Sequence, residues 1–192
     1  MLGALSQGLA GNEIVVSTML AQVLKQVAPQ TKVIEPRDVI TRINTNDVVD
    51  DYIRMRSGAL NSYVLRRDSL KKIGAVIGAR YVFQPYMGVF TQSMTNRWSF
   101  ADVRIMQTRA SLTRLGVQLW DTETGELLWA SVAEAEVEDE GLGQEPVYFQ
   151  DAVRITLGSM LADFLSGKTA SVYSPLNKYI DQLVQIPQPE AK

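Results

Sequence analysis

The stretch Val117-Gln118-Leu119-Trp120-Asp121-Thr122-Glu123-Thr124-Gly125-Glu126-Leu127-Leu128-Trp129 constrains the fold more than any other part of the chain. Two apolar, β-prone runs flank a turn in which Asp and Thr side chains can bond back to the backbone and Gly125 can take positive φ. That pattern predicts an antiparallel hairpin. Tyr81 to Phe90 and about Ile105 to Asp121 share the β-rich texture. With Glu126 to Val137 they predict a three-stranded meander across residues 80–137. If Trp120 stands opposite Leu127, strict alternation puts Val117, Leu119, Leu128 and Ala130 on one face and Gln118, Trp120, Leu127 and Trp129 on the other. Both faces then carry apolar side chains. Either further elements of the chain cover both, or the Trp face is exposed and serves as a binding surface.

Helical periodicity supplies the covering elements. Ile14, Val15, Met19, Leu20, Val23, Leu24 and Val27 follow Asn12, a good N-cap, until Pro29 ends the pattern, which predicts a helix over 12–28. Thr31 to Pro36 is short and β-branched and reads as a strand, with a short helix at Arg37 to Ile43. Asn46 to Leu65 and Asp68 to Gly78 read as helices, the second with Asp68 in the cap position. Pro146 opens a helix over 147–166 whose stripe is Phe149, Val153, Leu157, Met160, Leu161 and Phe164, closed by Gly167. A last short helix is expected from Ser174-Pro175, and residues 185–192, with Pro187 and Pro189, read as a disordered tail. The expected fold is one α+β domain over 1–184. Its small mixed, mainly antiparallel sheet is packed by the helices at 12–28 and 147–166.

The 192 residues include no cysteine and no histidine, which removes thiolate nucleophiles, the Ser-His-Asp triad and the commonest metal ligands. A net charge of -2 lacks the basic field that drives nonspecific nucleic-acid binding. The turn acids Asp121, Glu123 and Glu126 lack the ligand spacing of a calcium loop, and Gly141-x-Gly143 lacks the third glycine of a dinucleotide site. No catalytic residue, cofactor or metal site is expected. The alternative class is a small carboxylate-dependent hydrolase or sugar-active enzyme, which requires a pocket where two acids of raised pKa converge.

Charge is distributed unevenly. Residues 54–80 hold Arg54, Arg56, Arg66, Arg67, Lys71, Lys72 and Arg80 against Asp68, a balance of +6; residues 134–145 hold Glu134, Glu136, Glu138, Asp139, Glu140 and Glu145, a balance of -6. Two solvated faces are the ordinary explanation. The sharper one is a surface dipole that orients a partner or joins copies head to tail. The candidate partner-binding residues are therefore Trp120, Leu127 and Trp129 of the hairpin and Arg66, Arg67, Lys71 and Lys72 of the basic helix.

Three motifs carry a family resemblance: Lys32-Val33-Ile34-Glu35, Ile77-Gly78-Ala79-Arg80-Tyr81-Val82-Phe83, and the Asp-x-x-Thr-Gly-Glu turn between strands that ends at Trp129. With the order helix, short strand, helices, meander, helix, residues 12–166 resemble a family of bacterial envelope domains. It includes the curli secretion lipoprotein CsgG, the amino-terminal domain of TolB and the lipoprotein activators of penicillin-binding proteins. The resemblance implies a non-enzymatic periplasmic domain, anchored to the outer membrane in the full-length protein. It would bind, scaffold or activate an envelope protein partner or the cell-wall machinery, without a cofactor or nucleic acid. Membrane association would come only through a lipid anchor absent from this chain. Residues 1–11 show no clear counterpart of the family's first strand. An open sheet edge would then favour a homo-oligomer.

Overall fold

Alternating apolar residues and a tight turn at Asp121 give one continuous meander: β2 (Tyr81–Phe100), β3 (Val103–Asp121) and β4 (Leu127–Gly141). The computed structural model describes residues 2, 5–6, 12–100, 103–141, 149–167 and 170–171. The predicted helix after Ser174 and the tail at 185–192 lie outside them. The meander is antiparallel, and two short parallel strands, β1 (Leu5–Ser6) and β5 (Ala170–Ser171), complete a sheet of order β1-β2-β3-β4-β5. The strand missing from the sequence reading is therefore present: Leu5 and Ser6 pair with Tyr86 and Met87, and the Leu2 N–H donates to the Phe83 carbonyl at 3.1 Å. Two residues are too few to show an alternation, so backbone pairing places them where pattern could not.

Among the described residues, five helices cover the sheet: α1 (Glu13–Val27), α2 (Pro36–Thr45), α3 (Val49–Ser62), α4 (Arg67–Ile77) and α5 (Phe149–Leu165). Together with the mixed, open sheet they make the expected α+β fold. On one sheet face lie α1 and α5. Val16, Leu20, Val23 and Leu24 of α1 and Val153, Leu157, Met160 and Leu161 of α5 enclose a core with Phe83, Leu115, Val117, Leu119 and Trp129. Burying each such side chain contributes about 1.5–3 kcal/mol. Aromatic contacts at both ends fix α5 along the strands. Phe164 meets Trp129 at 5.1 Å and Phe83 at 5.8 Å, and Phe149 meets Phe90 at 4.9 Å. The spacing matches, since the helical rise from Phe149 to Phe164 and the strand rise from Phe83 to Phe90 each come to about 23 Å. β2 runs ten residues further, Thr91 to Phe100, roughly 33 Å beyond that contact.

The opposite face carries a second core. Leu2, Val39 and Ile43 of α2, Met55 and Ala59 of α3, and Leu70, Ile73 and Ile77 of α4 pack on Val82 and Trp120, with Tyr86 half-buried at the margin.

Three local expectations are corrected. Residues 31–36 form no strand: Val33 and Ile34 each pack partly against a different core, so their apolar side chains serve packing and not pairing. Glu35 instead caps α2, with Pro36 in its first turn, where the missing N–H costs nothing. Asn12 sits at the start of α1 without a side-chain capping bond, and its carbonyl accepts the Val16 N–H at 3.0 Å. Asp68 lies inside the first turn of α4, after Arg66 at the cap, where its charge still favours the helix dipole.

Gly116 of β3 is covered by the Tyr86 ring, which also meets the Tyr63 ring at 4.9 Å between centroids. A Cβ at residue 116 would come within 2.0 Å of that ring. Gly116→Ala must therefore push Tyr86 off the sheet and is expected to destabilise by about 1–3 kcal/mol in urea unfolding. Adding Tyr86→Ala should make the Gly116→Ala step nearly neutral. Equal costs in both backgrounds would contradict the packing described.

Candidate functional site at the hairpin end

The β3–β4 turn folds back on its own carboxylate. Asp121 Oδ1 accepts the backbone N–H groups of Glu123 at 2.8 Å and Thr124 at 3.2 Å, while Oδ2 accepts from Arg80 Nε at 3.1 Å. The Gly125 N–H closes the loop on the Asp121 carbonyl at 2.9 Å, with Gly125 at φ +76, as the turn chemistry predicts. Thr122 binds the turn to the α4–β2 connection. Its N–H donates to the Arg80 carbonyl at 2.7 Å, and its hydroxyl lies 3.0 Å and 2.9 Å from the Ala79 and Arg80 carbonyls. Both Asp121 and Thr122 are buried, so these partners answer a real desolvation cost.

α4 reaches the same turn through one side. Arg67, Lys71 and Gly74 recur at helical spacing, and a Cβ at Gly74 would meet Thr122 at 2.4 Å while one at Gly125 would meet Arg67 Cγ at 2.7 Å. The hairpin tip thus rests on the basic helix, bringing together Arg67 and the strand that carries Leu127.

The two tryptophans do not share a face. Trp120 pairs with Leu127 as expected, but Leu119 then pairs with Trp129, which leaves Leu128 as an extra residue in β4. That bulge reverses the alternation. Trp129 joins Val117 and Leu119 in the α1–α5 core at 5% exposure, and Trp120 enters the α2–α4 core at 6%, its indole N–H donating to Gln118 Oε1 at 3.1 Å. Ala130 correspondingly stands opposite Gln118. Neither indole offers a surface to a partner. The bulge leaves Leu127 and Leu128 side by side, each 46% exposed. Sequence alternation placed Leu128 on the core side and missed it; the contiguous Leu-Leu-Trp run, which cannot alternate cleanly, was the available signal.

The cations divide by use. Lys72 bridges to Asp51 of α3 at 3.1 Å, and Arg80 serves the turn. Arg66, Arg67 and Lys71 are exposed and, among the described residues, make no ion pair. The acidic stretch of β4 lies along β3, where residues 134 and 139 stand opposite Arg114 and Arg109, and Glu134 accepts from Arg114 Nε at 2.7 Å. Part of the -6 segment is therefore answered within the sheet.

Among the described residues, two carboxyls, Glu35 and Asp121, are held below the ordinary carboxylate range. Lys25, by hydrogen bond and charge, lowers Glu35. For Asp121, burial opposes ionisation, but the Thr124 and Glu123 N–H groups and the Arg80 guanidinium outweigh it. A general acid needs the opposite displacement. Among the described residues, no cluster of three or more acids has metal-site geometry.

Two outcomes are expected here. Gly125→Val meets both a positive φ and the Arg67 stem, and should destabilise by about 1 kcal/mol or more in chemical unfolding; an unchanged urea midpoint would contradict it. Because Asp121 is ionised more readily folded than unfolded, its contribution is complete above the ordinary carboxyl pKa, about 3.9, and is lost as pH falls through the lower folded value. Unfolding midpoints followed from pH 5 to pH 2 should fall less steeply for Asp121→Asn than for the wild type. Equal slopes would show that Asp121 is not held ionised.

No family model matches the chain, and no curated protein matches it. Among solved structures, the chain is similar to the crystal structure of lipoprotein GNA1162 from Neisseria meningitidis, at 12% identity and a TM-score of 0.44, over 86% of this chain and 92% of that one.

Proposed function

We propose that this chain is a non-enzymatic domain from the periplasmic side of an outer-membrane lipoprotein, and that it recognises an envelope protein partner through its hairpin end. The observation that carries the reading is the paired exposure of Leu127 and Leu128 on a hairpin whose turn rests against Arg67 of α4, a helix end that also exposes Arg66 and Lys71. Apolar side chains supply contact area there, and cations without acid partners supply orientation. The fitting partner presents apolar side chains flanked by acids. The envelope placement, and the relation to CsgG, TolB and the penicillin-binding-protein activators, rest on the motifs at residues 77–83 and 117–129, since residues 32–35 form no strand. With the tryptophans in the cores and Lys72 engaged by Asp51, the recognition set narrows to Leu127, Leu128, Arg66, Arg67 and Lys71.

Photo-crosslinking tests this in the envelope of the source bacterium. A photoreactive phenylalanine in place of Leu128 should give a discrete adduct with an envelope protein. One in place of Ile40, which is equally exposed on α2, should not. Arg66→Glu, Arg67→Glu and Lys71→Glu together should remove the adduct while shifting stability by no more than about 0.5 kcal/mol per surface change. Equal crosslinking from both positions, or an adduct indifferent to charge reversal, would contradict the proposal.

A further inference from the structure

The two long outer strands are guarded differently. Among the described residues, β1 pairs with β2 only at Tyr86 and Met87, and β5 pairs with β4 only at Ala130 and Ser131. β2 then continues to Phe100 and β4 to Gly141. On β4 that continuation carries Glu134, Glu136, Glu138, Asp139 and Glu140. Charge along an edge strand prevents pairing with another copy, because like charges would stand opposite one another.

β2 has no such guard. Val89 to Asn96 reads Val-Phe-Thr-Gln-Ser-Met-Thr-Asn, without a charge, proline or glycine. Within the same window β2 pairs with β3 without irregularity, from Val89 opposite Arg114 to Asn96 opposite Gln107; the register shifts fall just outside, between Met87 and Val89 and between Asn96 and Trp98. Among the described residues nothing pairs with the outer side of this window, so it presents a regular row of outward N–H and C=O groups, the template that strand addition uses.

We propose that β2 pairs antiparallel with β2 of a second copy over Val89–Thr95, about a twofold axis at Gln92, since facing residues of an antiparallel pair must turn their backbone groups the same way. Gln92 then stands opposite the partner's Gln92, and Val89 opposite the partner's Thr95. Isologous pairing closes on itself. It joins three long strands from each copy into one sheet whose two outer strands are both the acidic β4, so further addition is blocked at each end. The alternative twofold, β4 on β4, would set five acids against five. This contact is separate from the hairpin end and does not depend on the envelope reading.

Sedimentation velocity on the full chain should show a concentration-dependent dimer. It should be complete near about 200 µM, where a micromolar contact is saturated, and unchanged by salt, since the window is uncharged. Gln92→Lys with Ser93→Lys in one chain, and Gln92→Glu with Ser93→Glu in another, should each give monomers with wild-type circular dichroism. Mixed in equal amounts, they should re-form the dimer. As a second test, the cysteine-free background lets Gln92→Cys chains be oxidised on their own. They should form a covalent pair, which Glu138→Cys chains should not. A monomer at all concentrations, a dimer that survives in either like-charged variant, or β4 disulfides forming as readily as β2 ones would each overturn the proposal.

Discussion

The clasp between the β3–β4 turn and the α4–β2 connection is the interaction on which the rest of the arrangement depends. Thr122 and Asp121 are nearly inaccessible to solvent, and every polar group they bury is met by Ala79, Arg80 or the turn's own backbone. Leaving any of these groups unpaired would cost on the order of 1–3 kcal/mol, a large share of a domain's net stability. The clasp fixes where α4 ends relative to the hairpin, and so which residues of α4 lie against the tip. Gly74 is small because Thr122 needs the space, and the positive φ of Gly125 lets the turn lie on the Arg67 stem. The recognition surface is thus a consequence of how the hairpin is held.

Two cores back to back make the sheet a shared wall, and a single extra residue in β4 assigns its aromatics. Without the bulge at Leu128, Trp129 would turn toward α4 and leave the α1–α5 core without its contact to Phe164. With it, each core receives one tryptophan, and Leu127 and Leu128 are both left half outside. The same irregularity builds the interior and creates the exposed leucine pair.

The elements that announce themselves in sequence are those whose signal is local. Gly125 declares its turn, and the stripes of α1 and α5 declare their buried faces. Thr31 to Pro36 misleads because β-branched residues suit any extended, half-buried segment, paired or not. β2 runs on through residues 91–100 and β3 begins already at Val103, where polar residues such as Thr91, Gln92 and Ser93 give no apolar alternation, and pairing with a neighbouring strand sustains the extended backbone. Of the proposed site, Arg66, Arg67, Lys71 and Leu127 were legible as surface charge and hairpin position. Burial of Trp120 and Trp129 was one of the two readings open from the sequence, but their entry into opposite cores was not legible, because it turns on one register shift, and register is a tertiary property. Lys72 looked equivalent to Lys71 until the fold placed Asp51 beside it.

Native-state hydrogen exchange tests the clasp most directly. If the turn is held as described, the amides of Thr122 and Gly125 open only with global unfolding, and their protection equals that of core amides such as Leu119 and Val117. Exchange of Thr122 and Gly125 at rates well above the core, with α4 still protected, would show a turn that opens independently of the helix and would contradict the account.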